Sequence, residues 1–169
     1  FFGKRTGYDY MQCIACKTVQ LYPIPSTEQV EKAYSHDYAD AGHYPYADAA
    51  IAESEPFSQA LADLSGSIAP AGTVLDFGCG YGGLSRTLAA RKRSYLGVDL
   101  SIPMVEYCKA HGLNARNATI NTLLQEKASF SAIAMNAVLE HLTNPEYIFS
   151  ALRRLLMPGG YIISSSVTG

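Results

Sequence analysis

The sequence predicts an α/β fold, a doubly wound and mostly parallel β-sheet with helices on both faces. Three observations predict it. From about residue 47 onward, short apolar runs alternate with amphipathic stretches, as strand–helix–strand units require. Four glycines fall within the six residues 78–83, where one apolar run must turn at once into a helix. Pro70-Ala71-Gly72 and Pro158-Gly159-Gly160 punctuate the pattern near its two ends.

The 169 residues are 48% hydrophobic and 17% charged, a globular composition sized for one domain with a small appendage. Thirteen basic and fifteen acidic residues leave a net charge of −2, so no electrostatic footprint for nucleic acid or an anionic membrane is expected. No apolar run approaches the roughly 20 residues that span a bilayer, and no charged-then-apolar leader is visible. A cytoplasmic protein, monomer or homodimer, is expected. The four cysteines, Cys13, Cys16, Cys79 and Cys108, then stay reduced.

Residues 1–46 differ from the rest. They hold seven of the twelve tyrosines, Tyr8, Tyr10, Tyr22, Tyr34, Tyr38, Tyr44 and Tyr46, which serve either as a ligand lid or as packing anchors. Thr18 to Tyr22 reads as a short β-like stretch. Ser26 and Gln29 make a capping box that opens a helix over Thr27–Tyr34. Residues 35–46 read as a loop. Cys13-Ile14-Ala15-Cys16 has the spacing of two thiolates on one zinc ion, yet no second pair completes four ligands.

The repeating part follows. Ala49–Ile68 reads as a helix, with Phe57, Leu61, Leu64 and Ile68 at three- and four-residue spacing. Thr73–Phe77 is a strand, Gly82–Arg91 a helix, Ser94–Val98 a strand and Ile102–His111 a helix with Ser101 as its cap. Leu113–Ala118 is a weak strand, Phe130–Asn136 a strand, Pro145–Leu156 a helix and Tyr161–Val167 the last strand.

Val74-Leu75-Asp76-Phe77-Gly78-Cys79-Gly80-Tyr81-Gly82-Gly83 carries the strongest signal. Glycines let the backbone approach a ligand, and the new helix brings free N–H groups and a positive end. No Gly-Lys-Ser/Thr follows, which excludes a phosphate-cradling loop. Asp76 ends an apolar strand, where a carboxylate is costly without a partner. Asp99 ends the second strand, in the same crevice, where an acid can take both hydroxyls of a ribose. Gly78, Gly80 and Gly83 also satisfy the dinucleotide pattern, which keeps an NAD(P)-dependent oxidoreductase as an alternative.

At this point the sequence resembles the class I S-adenosylmethionine (SAM) dependent methyltransferases, and most of all their small-molecule group. Four blocks carry the resemblance: VLDFGCGYGG at 74–83, YLGVDLS at 95–101, FSAIAMNAVLEHLTNP at 130–145 and LRRLLMPGGYIISSS at 152–166. It implies a Rossmann-like sheet with five visible strands in the order 3-2-1-4-5, truncated before the last two strands of the family core. Residues 47–169 would be a C-terminally incomplete SAM-binding core. Further chain is expected beyond Gly169.

The resemblance also implies roles. Gly78, Cys79, Gly80 and Gly82 would line the methionine part of SAM, and Asp76 would help position its amino group. Asp99 would bind the ribose. Leu100, Met104, Thr119 and Ile120 would border the adenine. Asn136 would sit near the transferred methyl. The third-strand region lacks the acid often found near the adenine amine, leaving Asn117 or a backbone group as the substitute. Ser131 stands where the family usually has Asp, and tuning rather than loss is expected there. Residues 1–46 are similar to methyltransferases with an N-terminal zinc ribbon, with Cys13 and Cys16 as half of the site.

Methyl transfer from a sulfonium needs alignment above all, and a hydroxyl acceptor also needs a base. His141 has the intrinsic pKa for that role, with Glu140 beside it as a brace. His36 and His43 could contribute to a lid over the acceptor. The partner expected is a small-molecule acceptor of unread identity. A non-catalytic SAM-binding module is the remaining alternative.

Overall fold

The computed structural model describes residues 3–5, 8–37 and 47–166. Tyr38, His43, Tyr44, Tyr46 and Val167 lie outside the described residues, as does the side chain of His36.

Three short antiparallel strands open the chain: β1 (Gly3–Arg5), β2 (Tyr8–Gln12) and β3 (Val19–Tyr22). Of these only the third was legible, because polar residues interrupt the other two. Helix α1 (Thr27–Lys32) follows, and its capping box is as expected: Ser26 Oγ accepts from Gln29 N at 3.2 Å, and Ser26 N donates to Gln29 Oε1 at 2.8 Å. Ala33–Asp37 then makes one π-helical turn.

The main sheet has five parallel strands: β4 (Val74–Phe77), β5 (Tyr95–Asp99), β6 (Ala115–Asn117), β7 (Phe130–Asn136) and β8 (Leu156–Ser165). Their order is β6-β5-β4-β7-β8, the 3-2-1-4-5 order expected. Helix α2 (Ala47–Ile68) precedes them, and between them run α3 (Gly83–Ala90), α4 (Ile102–Ala110), α5 (Ile120–Gln125) and α6 (Pro145–Leu155). Caps fix where the helices start. Ser101, Thr119 and Asn144 each accept from a backbone N–H one turn on, and Pro145 sits where a helix needs no N–H.

The sheet's pleat separates two cores. On one face Leu75, Val98, Ile133 and Met135 pack with Leu123, Leu152 and Leu155 of α5 and α6. On the other, Val74, Ala132 and Ala134 pack with Leu61, Leu84 and Leu88 of α2 and α3. The small Ala132 and Ala134 let α2 come close, and α2 answers with small residues. Its buried face is Ser58, Leu61, Ala62 and Ser65. Of the four residues whose spacing marks the helix, Leu61 alone is buried; Phe57, Leu64 and Ile68 are 51%, 44% and 40% exposed.

The last strand departs from expectation. Pro158-Gly159-Gly160 does not precede β8 but lies inside it. Phe130 pairs with Leu156 and Ala132 with Tyr161, so the register shifts and the extra residues bulge out. Pro158 has no N–H to pair, and Gly159 takes φ +78°. On its other edge β8 has no partner strand among the described residues. No described helix is long and apolar enough to cross a membrane.

Leu152 is wholly buried on α6. Leu152→Ala should lower the unfolding free energy by about 2–5 kcal/mol, read from the midpoint of urea denaturation.

Candidate active site

The C-terminal ends of β4, β5 and β7 open onto one cavity of about 480 Å³. This is the crevice in which an open α/β sheet places its ligands. Of the residues singled out from sequence, Asp76, Gly78, Cys79, Gly80, Asp99, Leu100, Met104, Thr119, Ile120, Asn136 and His141 all line it.

The glycine turn shapes one wall. Gly78 N and Cys79 N both donate to Val98 O, at 2.9 and 3.0 Å. Gly80 N donates to Asp99 Oδ2 at 2.8 Å, and Ser101 N donates to Asp99 Oδ1 at 2.9 Å. Asp99 thus spends one hydrogen bond per oxygen on the turn and on the cap of α4. Each oxygen keeps acceptor capacity for a ligand. Gly78 has φ +75°, and a Cβ there would stand 2.6 Å from Val138 Cγ2. Only glycine meets both demands.

Asp76 is 2% exposed, and its Oδ2 accepts from Ser85 Oγ at 2.7 Å. Burial pushes its carboxyl up to about 7, against the pull of the Ser85 hydrogen bonds, and the nearby Asp99 adds to the rise. Asp99 is also raised, chiefly by burial.

The opposite wall is the end of β7. Asn136 Oδ1 accepts from Ser165 Oγ at 2.6 Å, which ties it to β8. Ala137 lines the cavity with φ +53°, a strained conformation for a residue with a side chain. A 3-10 turn, Leu139–His141, follows. His141 lies at the rim with its ring 5.9 Å from that of Tyr34, edge to face at 77°.

Two sequence-based placements change, those of Gly82 and Asn117. Gly82 does not line the cavity. It caps α3 with φ +81° and packs backward, where a Cβ would meet Leu113 and Cys108; Gly83 lines the cavity instead. Glu140 does not line it either, and its Oε2 accepts from Ser166 Oγ at 3.1 Å, the bracing role. Asn117 gives its amide to Asp99 O and Leu100 O, at 3.0 and 2.8 Å, so it steadies the end of β5 rather than facing the cavity. Ser131 is buried at the N-terminal end of β7, the end away from the cavity, and its Oγ donates to Thr73 O.

Part of the lining comes from the N-terminal helices. Thr27, Val30, Glu31 and Tyr34 come from α1 and the turn after it, and Ala50, Ile51 and Ser54 from α2. Their signals were the capping box, a helical period and, for Tyr34, the tyrosine cluster read as a lid or as anchors. Cys13 and Cys16 are exposed on the turn between β2 and β3. Cys16 Sγ donates to Thr18 Oγ1 at 3.3 Å, and hydrogen bonds from Thr18 and Cys13 bring its thiol down to about 7. Among the described residues no group of three His, Cys, Asp or Glu could hold a metal ion, so this pair alone does not make a closed zinc site.

A glycine turn beside two acids, Asp76 within β4 and Asp99 at the end of β5, on a 3-2-1-4-5 sheet, makes the ligand crevice of a doubly wound α/β protein. Residues 75–164 match the family described as "Methyltransferase domain", and the chain belongs to that family. This removes the nicotinamide oxidoreductase alternative. The chain is 38% identical over 101 residues to the ubiquinone biosynthesis O-methyltransferase of Xylella fastidiosa (strain 9a5c), covering 56% of this chain and 41% of that one. It is 33% identical over 118 residues to the protein of the same description in Xanthomonas oryzae pv. oryzae (strain PXO99A), covering 66% and 47%. The chain therefore spans less than half the length of these curated relatives. The fold is also that of the TehB-like SAM-dependent methyltransferase from Corynebacterium glutamicum (TM-score 0.58, 23% identity, 78% of this chain and 72% of that one). The plantazolicin methyltransferase BamL is similar to the same degree (TM-score 0.58, 23% identity, 76% and 52%).

Asp76 carries a signed pH dependence. Its carboxyl is near 3.8 when unfolded and about 7 when folded, so the folded state holds the extra proton between those values. Stability should be highest below the unfolded value, fall as pH rises through that window and level off above it. Asp76→Asn should flatten the slope, measured by urea denaturation at about pH 5 and about pH 8.

Proposed function

We propose that this chain is the cofactor-binding part of a SAM-dependent methyltransferase acting on a small-molecule acceptor. Residues 1–46 form an accessory segment and residues 47–169 the core. The observation that carries the reading is Asp99: its two oxygens hold the glycine turn and the α4 cap while facing the cavity. The cavity fits the cofactor. A Cβ at Gly80 would meet nothing nearer than Met104 Sδ at 4.0 Å, so backbone is what a ligand meets there.

When bound, SAM supplies a methyl group on a sulfonium sulfur, the electrophile of the reaction. The chain's own residues do the rest. Asp99 takes the ribose hydroxyls. Leu100, Met104 and Ile120 pack on the adenine, and Thr119 borders it. The Gly78–Gly80 backbone cradles the amino-acid end. Asp76 and Asn136 orient its ammonium, directly or through water. His141, at the rim, takes the proton from an acceptor hydroxyl as oxygen attacks. The O-methyltransferase descriptions of the relatives support an oxygen acceptor. Tyr34 fixes the imidazole by edge-to-face contact.

Four free cysteines suit a reducing cytoplasm. Zinc at Cys13 and Cys16 would need two more ligands from outside the described residues.

Calorimetry should show SAM and S-adenosylhomocysteine binding and no heat with NAD. Asp99→Ala should weaken SAM binding by roughly ten- to a hundredfold. Equal binding by the variant, or binding of NAD alone, would count against the reading. With a phenolic acceptor in hand, His141→Gln should lower kcat by about a hundredfold or more and leave SAM affinity unchanged.

A further inference from the structure

The glycine turn carries a chemical group that methyl transfer does not use. Cys79 lies between Gly78 and Gly80 and lines the cavity. Cys108, from α4, sits behind it and is completely buried. The two are 29 positions apart in the sequence, yet they share one buried cluster with Leu113 and Ala115. Both sulfurs converge on the same carbonyl, Gly80 O, at 3.9 Å from Cys79 Sγ and 3.3 Å from Cys108 Sγ.

The thiols also act on one another. Their mutual hydrogen bond is the first cause that raises Cys79 well above the ordinary thiol range, and the first that lowers Cys108. The surroundings are tight. A Cβ at Gly82 would stand 3.0 Å from Cys108 Sγ, and one at Gly97 would stand 3.1 Å from Cys79 Sγ. Packing alone needs only two small apolar side chains here. Two sulfurs that share one carbonyl and one buried cluster beneath the glycine turn add a reaction.

We propose that Cys79 and Cys108 form a redox modification site, closed to a reversible disulfide by a peroxide that enters through the cavity. Cys108 is the thiol held lower, so its sulfur is the one that attacks. Its electron pair displaces the peroxide O–O bond, an S–O bond forms, and water leaves with the thiol proton. Cys79 sulfur then attacks Cys108 sulfur. The S–S bond forms, the S–O bond breaks and a second water leaves. Two thiols are oxidised and one peroxide is reduced to two waters; a dithiol reductant reverses the change.

The consequence follows from geometry. An S–S bond is about 2.0 Å long, shorter than any thiol–thiol contact, so closure draws Cys79 toward α4. The turn is held by Gly78 N and Cys79 N on Val98 O and by Gly80 N on Asp99, and it cannot follow without loosening those bonds. Oxidation therefore lowers affinity for SAM, and bound SAM shields the pair. This second half rests on the function proposed above.

The test uses the whole chain carrying Cys13→Ser and Cys16→Ser, which silences the exposed pair. After hydrogen peroxide, denaturation and alkylation, peptide mass mapping should show Cys79 joined to Cys108, two fewer free thiols, and full recovery with dithiothreitol. SAM added first should slow the cross-link. Calorimetry should show SAM affinity falling at least tenfold on oxidation and returning on reduction. Cys108→Ala should bind SAM as the reduced protein does and ignore peroxide. The site is overturned if both cysteines stay alkylatable, or oxidise separately without a cross-link. The switch is overturned if the cross-link forms and SAM affinity holds. If reduced protein binds no SAM, the function proposed above fails, while the mass map still decides the disulfide.

Discussion

A single carboxylate holds the site in shape. Asp99 ends β5 and receives two backbone N–H groups, one from the glycine turn after β4 and one from the cap of α4. These belong to separate strand–helix units, so their relative position is fixed by the acid between them. Such charge-assisted bonds are roughly twice as strong as neutral ones. They also orient the remaining lone pairs toward the cavity. The arrangement is preorganised: the same group that braces the turn presents the binding surface.

Asp76 is the counterpart one strand inward, and its circumstances are harsher. It sits between β5 and β7 in the sheet, paired with Gly97 and Ala134, neighbours too small to crowd it. Burial opposes its charge, and Ser85 gives it one hydroxyl. A group so placed ionises more readily beside a cation than without one. The two acids differ because Asp99 meets backbone donors at a strand end, whereas Asp76 lies within the strand itself.

What the sequence disclosed follows the same physics. Parallel strands buried on both faces read as unbroken apolar runs, so VLDF, YLGVD, AIAM and YIIS marked four of the five main strands; β6, Ala115–Asn117, showed only as a weak strand over Leu113–Ala118, and the strand order came from the family resemblance. Most boundaries moved by one or two residues. The β8 bulge was hidden because a Pro-Gly-Gly run looks the same inside a strand as before one. The buried face of α2 was hidden because alanines on the sheet select serines, while apolar spacing points to Phe57, Leu64 and Ile68. In the site, residues on the strand ends were found and those on α1 were not. Gly82 was misplaced because adjacent glycines at 82 and 83 face opposite ways, a difference of backbone torsion that residue type does not record. The strained Ala137 left no trace at all.

The α1 residues that were missed fall on one side of the cavity, and that is informative. The cofactor side is built from strand ends, where the sheet fixes geometry and the residue types are demanding. The rim is built from α1, the π-helical turn and the 3-10 turn, which meet through Tyr34 and His141. Short elements of that kind carry few buried apolar contacts, and their stability is set locally. On the function proposed above, an acceptor is held against a methyl whose position the strand ends dictate. The demanding geometry is then settled before the rim is chosen, and the rim is free to vary with the acceptor. That division accounts for the strand-end side announcing itself in the sequence, while the acceptor would be sought in the contacts of Tyr34, Glu31 and His141.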